Sequence, residues 1–188
     1  EFRRVNQERD IIMLTHDDGA YYSKPQLSTA LAKQQTAAQL VMKSREEMAA
    51  QLNLTIIPVC RVERLDCAQH KIICATAEYV YSQCVLAVGA APIHIPFAGD
   101  AVESLIAVNN ITDYAQFQQW LQGKRHIGIL GTGLVGCELM NDLLSAGYAV
   151  SMISLDDYPL QRFIPVESMG RACQQVYVDS GVNWHLQQ

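Results

Sequence analysis

Gly131-Thr132-Gly133-Leu134-Val135-Gly136 is the stretch on which the fold of this 188-residue chain turns. It follows residues 125–130 (RHIGIL), a short apolar run that reads as a buried strand. It opens residues 134–146, which read as a helix closed by Gly147. A GxGxxG set between a strand and a helix is a dinucleotide-binding loop. Gly131 allows the tight turn, Gly133 lets backbone approach a pyrophosphate, and Gly136 lets the helix pack on the strand. The first helical amides, from Leu134 and Val135, offer N–H groups and a positive dipole end to phosphate oxygens.

The rhythm continues on both sides. Residues 148–154 read as the next strand, 167–180 as a helix closed by Gly181, and 182–186 as the start of a third strand. Upstream, residues 113–121 read as a helix closed by Gly123. Strands alternating with helices predict an α/β fold with a parallel sheet. Such a site takes an acid about 20 residues beyond the loop, at the end of the second strand, for the ribose hydroxyls. Here that strand ends on Ser154, and the nearest acids are Asp156 and Asp157. Both would repel a 2′-phosphate, and no Arg stands nearby before Arg162, so the sequence favours NAD over NADP. Asp156 is the first candidate, with Asp157 beside it.

The first half has another pattern. Residues 10–15 (DIIMLT) read as a buried strand, a helix from Pro25 to about residue 32 follows, and residues 36–52 carry helical periodicity. Residues 55–65, 71–75, 78–81 and 84–88 are strand-like. A Pro- and Gly-containing stretch follows, and a boundary is expected near 98–105. Arg3-Arg4 and the run at residues 43–47 (KSREE) read as solvated helix faces.

Composition narrows the class. Hydrophobic residues make up 49% and charged residues 18%, which excludes a disordered chain. The net charge of −5 argues against a nucleic-acid partner. No apolar run approaches the ~20 residues of a membrane helix. The six cysteines form no CxxC, and with no secretion signal they point to a reducing cytoplasm. Cys60, Cys67 and Cys74 are evenly spaced around His70, but in β-rich sequence they read as small core residues rather than metal ligands. The chain opens Glu1-Phe2-Arg3-Arg4 without Met and closes inside a strand, so a piece of a longer chain is expected.

Three stretches resemble one family. Asp17-Asp18-Gly19-Ala20-Tyr21-Tyr22-Ser23-Lys24-Pro25-Gln26-Leu27-Ser28 resembles the DDGxxYSKPxLS segment of rubredoxin–NAD reductases. Tyr81 to Ile93 (YSQCVLAVGAAPI) resembles their LVLAxGAxPI ending, and Gly131 to Leu143 (GTGLVGCELMNDL) their loop GAGLIGCEFANDL. The resemblance implies a Rossmann-like FAD/NAD(P)-linked reductase fold, with a partial FAD-binding domain at 1–100 and a partial NAD-binding domain at 101–188. It implies FAD and NAD as cofactors, NADH as electron donor, and rubredoxin or a related small electron-transfer protein as acceptor. Ferredoxin or flavorubredoxin is the alternative acceptor.

By motif position, Lys24 and Pro25 would lie beside the flavin ring, where a cation stabilises an anionic reduced flavin. Thr15 and Asp17 match groups near the FAD ribose, Val62 a backbone near the adenine, and Ala87 and Gly89 the close turn at the cofactor. Glu138 matches an acid facing the nicotinamide. A piece lacking the flavin pyrophosphate loop is expected to be colourless when purified. A disulfide reductase would carry a CxxxxC pair within residues 24–52, where no cysteine occurs. A non-catalytic NAD-binding module would need no Lys24.

Overall fold

Phe2–Val5 forms the first short helix, α1, and its Arg3 is not a solvated face. The guanidinium donates to the carbonyls of Leu52 and Arg9, each at 2.7 Å, and to that of Asn53. Helix ends leave carbonyls without partners, and a cation answers them. The computed structural model describes residues 2–93 and 95–188; Glu1 and His94 lie outside the described residues.

The run at residues 10–15 supplies β1 (Ile12–Leu14), and Tyr21–Tyr22 forms β2. The helix expected from Pro25 is a 3-10 helix, Lys24–Ser28, with Pro25 in its first turn. It stops there because the amides of Leu31 and Ala32 bond to the Asp142 carboxylate instead of a preceding carbonyl.

The single helix expected over 36–52 is broken into three elements: α2 (Ala37–Leu40), β3 (Val41–Lys43) and α3 (Arg45–Leu52). β3 pairs antiparallel with β2, and Ser44 starts a new helix. Its hydroxyl accepts from Glu47 N at 3.1 Å while the Glu47 carboxylate accepts from Ser44 N at 2.7 Å. That reciprocal capping box gives the KSREE run a local structural task as well as a solvated face, since Glu46 and Glu47 are exposed.

Residues 55–65 also split. β4 (Thr55–Ile57) lies parallel to β1, with Met13 opposite Ile56. Pro58 and Val59, the latter at φ +51, turn the chain before β5 (Val62–Asp66). β5, β6 (Lys71–Cys74) and β7 (Glu78–Val80) make an antiparallel three-stranded sheet. The strand expected at 84–88 is not formed; Val85, Leu86 and Val88 are exposed, and the sheets of the described residues give them no neighbouring strand.

Beyond, α4 (Ile111–Trp120), β8 (His126–Leu130), α5 (Leu134–Ser145), β9 (Ala149–Ser154), α6 (Glu167–Asp179) and β10 (Asn183–Leu186) follow the expected alternation. The sheet is parallel, in the order β10-β9-β8. Ile127, Ile129, Val150 and Met152 of its strands are buried, as are Met140 and Leu143 of α5 and Tyr114, Phe117 and Leu121 in and after α4. α6 carries Gly170 where a Cβ would stand 2.0 Å from the ring of buried Tyr158.

The chain divides into two compact units. One holds Glu1–Tyr22 and Val41–Ile93; the other holds Ser23–Leu40 and His94–Gln188. The second unit therefore takes a segment that the sequence order places in the first half.

Burial has a consequence at high pH. It raises the Cys137 thiol from 9.0 to about 11, helped by Cys173, and the Tyr114 phenol from 10.0 to about 12, helped by Asp142. Cys74 rises to about 11 through burial and then Cys60. Above pH 9 the unfolded chain releases protons that the native chain keeps, so stability falls as pH rises. Urea unfolding under reducing conditions is expected to show full stability below pH 9 and a decline through pH 11. The Cys137 share is on the order of 2 kcal/mol, and Cys137→Ala should flatten the slope.

Candidate dinucleotide-binding site

The loop after β8 is built as the glycine spacing demands. Gly131 N extends the ladder to β9 by donating to Ile153 O at 2.8 Å. Its φ of +103 is a conformation that L side chains rarely adopt. At Gly133, the residue capping α5, an added Cβ would meet nothing within 4 Å, so backbone lies open to a ligand. At Gly136 an added Cβ would sit 2.3 Å from Gly131 O, so the first turn of α5 packs on the loop with no room for a side chain. The side chains of Leu134 and Val135 are exposed, while their amides belong to the first turn of α5. An open loop at a helix N-terminus fits a pyrophosphate.

Thr132 points its side chain away from that opening. It is 1% exposed, and its hydroxyl lies 3.0 Å from Ser154 Oγ and 3.2 Å from Asp156 Oδ2. Ser154 Oγ donates to the same Oδ2 at 3.2 Å and accepts from Asp156 N at 3.1 Å. Asp157 is exposed, and its carboxylate accepts from the Gln187 side-chain amide. The two aspartates, neighbours in the sequence, are thus in different settings.

The Lys24 segment belongs to the same unit. Lys24 Nζ donates to Asn109 Oδ1 at 2.8 Å. Pro25 holds the first turn of the 3-10 helix, and Ser28 Oγ at its end donates to Glu138 Oε2 at 2.8 Å. Glu138 stands on α5, one turn after Leu134. Asp142, one turn further, is buried and accepts the amides of Leu31 and Ala32, each at 2.9 Å. Tyr114 Oη and Gln118 Nε2 of α4 both donate to Gln35 O, at 3.0 and 2.9 Å. Sequence reasoning missed Ser28 and Asp142. Asp142 lies inside the quoted GCELMNDL, and an acid on the apolar face of a helix was its one visible signal.

Thr15 and Asp17 follow β1, where open α/β sheets bind ligands. Asp17 Oδ1 accepts from Thr15 Oγ1 at 2.5 Å and from Gly19 N at 3.0 Å, and Oδ2 is not part of that network. That leaves a carboxylate oxygen for a ribose hydroxyl, which fits the FAD adenosine. Val62 opens β5, exposed and opposite Cys74. Ala87 and Gly89 lie in exposed chain after β7. Cys60 Sγ and Cys74 Sγ are 3.0 Å apart as buried free thiols, while Cys67 is exposed.

Known proteins resemble the chain in sequence and in fold. The chain is 38% identical over 189 residues to a rubredoxin-NAD(+) reductase of Alcanivorax borkumensis, covering 99% of this chain and 48% of that protein. It is 33% identical over 181 residues to a nitric oxide reductase FlRd-NAD(+) reductase of Aeromonas salmonicida, covering 96% and 46%. The chain therefore spans about half the length of the curated relatives it matches. Its fold matches the crystal structure of a ferredoxin reductase from Rhodopseudomonas palustris with a TM-score of 0.87 at 18% identity, covering 98% of this chain and 46% of that one. A family model for pyridine nucleotide-disulphide oxidoreductases matches residues 2–188, and the chain belongs to that family.

Proposed function

We propose that the chain is the part of an NADH-dependent flavoprotein reductase that receives NADH and passes its electrons through FAD to a rubredoxin. The loop geometry carries this reading: a side chain at Gly136 is excluded while Gly133 stands open. The 38% identity to a rubredoxin-NAD(+) reductase, against 33% for the flavorubredoxin relative, favours rubredoxin as acceptor. Six free cysteines suit a reducing cytoplasm. Among the described residues no helix is long and apolar enough to cross a membrane.

In this reading the amides at Gly133, Leu134 and Val135 bind the NADH pyrophosphate, and Asp156 accepts from its adenosine ribose. Glu138, held by Ser28, faces the nicotinamide. Thr15, Asp17, Val62, Ala87 and Gly89 take the adenosine side of FAD. Lys24, steadied by Asn109, and Pro25 flank the flavin ring. FAD, when bound, supplies the step from two-electron hydride acceptance to one-electron release. Of these residues, Thr15, Asp17, Val62, Ala87 and Gly89 lie in the first compact unit, and Lys24, Pro25 and the loop at residues 131–136 lie in the second.

Anaerobic mixing of the full-length protein with NADH, and separately with NADPH, tests the reading. Bleaching of the flavin band by NADH alone supports it, and no bleaching with either overturns it. Lys24→Met is expected to slow bleaching on the order of tenfold or more while leaving NADH affinity within about twofold, since the lysine acts on developing charge. Stopped-flow absorbance reads both.

A further inference from the structure

We infer that Thr132 and Ser154 are positioning residues, which hold the Asp156 carboxylate as acceptor for the adenosine ribose 2′-hydroxyl and so select a dinucleotide without a 2′-phosphate. The inference rests on the dinucleotide reading above and adds to it the device that aims the acid. The strand-end position that would ordinarily hold the ribose acid is Ser154, so the carboxylate comes instead from a loop two residues on. A loop carboxylate needs fixing, and three observations show how it is fixed.

First, the donors and acceptors account for one another. Ser154 Oγ has one proton and gives it to Asp156 Oδ2, and it accepts from Asp156 N. Thr132 Oγ1 has one proton, shared between Ser154 Oγ and Asp156 Oδ2. Asp156 Oδ2 is thereby occupied, and Oδ1 is the oxygen outside the network. Second, both hydroxyls are almost fully buried, Thr132 at 1% and Ser154 at 8% exposure. A buried hydroxyl is costly without a partner, and a carboxylate is a strong one. Valine would fill the space of Thr132 with no such demand.

Third, Thr132 is fixed by its backbone as well. Its carbonyl accepts from Leu160 N at 2.9 Å and from Cys137 Sγ at 3.4 Å. The branched side chain has few rotamers to explore. One residue thus ties the phosphate loop, Gly131 to Gly136, to the loop carrying Asp156. The distance between the phosphate amides and the ribose acceptor becomes a fixed dimension. Asp157 lacks such a tie; Gln187 holds it in an exposed position.

The test is calorimetric titration of the full chain with ADP-ribose and with its 2′-phosphate, neither of which exchanges electrons. Asp156→Ala is expected to weaken ADP-ribose binding roughly tenfold and to erase the preference over the phosphorylated form. Thr132→Val and Ser154→Ala are each expected to weaken ADP-ribose binding about five- to tenfold, with Thr132→Ser close to the parent protein. In an Asp156→Ala background, Thr132→Val should add less than about twofold, because its route of action is gone. An unchanged Kd in Thr132→Val and Ser154→Ala, or an equal loss with and without Asp156, overturns the positioning role. No effect of Asp156→Ala overturns the ribose assignment itself. Failure of the parent protein to bind ADP-ribose overturns the dinucleotide reading beneath both. Circular dichroism of each variant confirms that the fold is retained, and Ser154→Ala decides the matter if Thr132→Val does not fold.

Discussion

Gly136→Val is expected to cost about 3 kcal/mol or more of stability and to remove dinucleotide binding. The Cβ alone would stand 2.3 Å from Gly131 O, inside any non-bonded contact distance. Neither side can retreat. Gly131 is held by its bond to Ile153 O, and α5 is anchored by Met140 and Leu143, both at 0% exposure. The strain therefore falls on the loop itself. Thermal denaturation and ADP-ribose titration measure the two losses. Gly133→Ala is the contrast: its Cβ meets nothing within 4 Å, so the fold should stand within about 1 kcal/mol while the ligand is obstructed. Normal binding by Gly133→Ala would show that the open side of the loop is not the ligand side.

The second large effect is expected at Asp142. Asp142→Ala removes both acceptors of the Leu31 and Ala32 amides and leaves those donors without a partner. Bonds to a charged acceptor contribute about 1.5–3 kcal/mol each, so a loss of about 3 kcal/mol or more is expected in the urea midpoint. Asp142→Asn keeps one acceptor oxygen and sets an NH2 against the other amide, so it should lose about half as much. A second readout separates the charge from the bonds. Burial is the larger cause of Tyr114's rise to about 12, and the Asp142 charge is the other. In Asp142→Asn, ultraviolet titration should find tyrosinate forming at lower pH than in the parent protein, with the burial share remaining.

The second half was legible because each device was local. A Gly after every helix, an apolar run before it and the GxGxxG spacing are all short-range marks, and the elements from α4 to β10 lie where they indicated. The first half failed where a distant partner decides. Residues 36–52 look helical by spacing, yet Val41–Lys43 is drawn into a strand by Tyr21–Tyr22. Residues 84–88 have the composition of a strand, and composition does not supply a neighbour to pair with. Arg3 looks like a surface charge until Leu52 and Asn53 arrive beside it, about fifty positions later. The same limit hid Asp142, whose partners are more than a hundred residues upstream. Ser154 was read as a missing acid, when its hydroxyl is half of what holds the acid in place.

The assignment of Ser23–Leu40 to the second unit bears on protein engineering. Exchanging nucleotide preference by transplanting a donor's residues 101–188 looks like a one-junction operation on paper. It is a two-piece graft, because the host's residues 31, 32, 35 and 37 are bonded to Asp142, Tyr114 and Gln118 of the transplanted part. A chimera joined at one point would inherit a mismatched seam. A chimera that carries the donor's residues 23–40 as well would keep each bonded pair from the same parent.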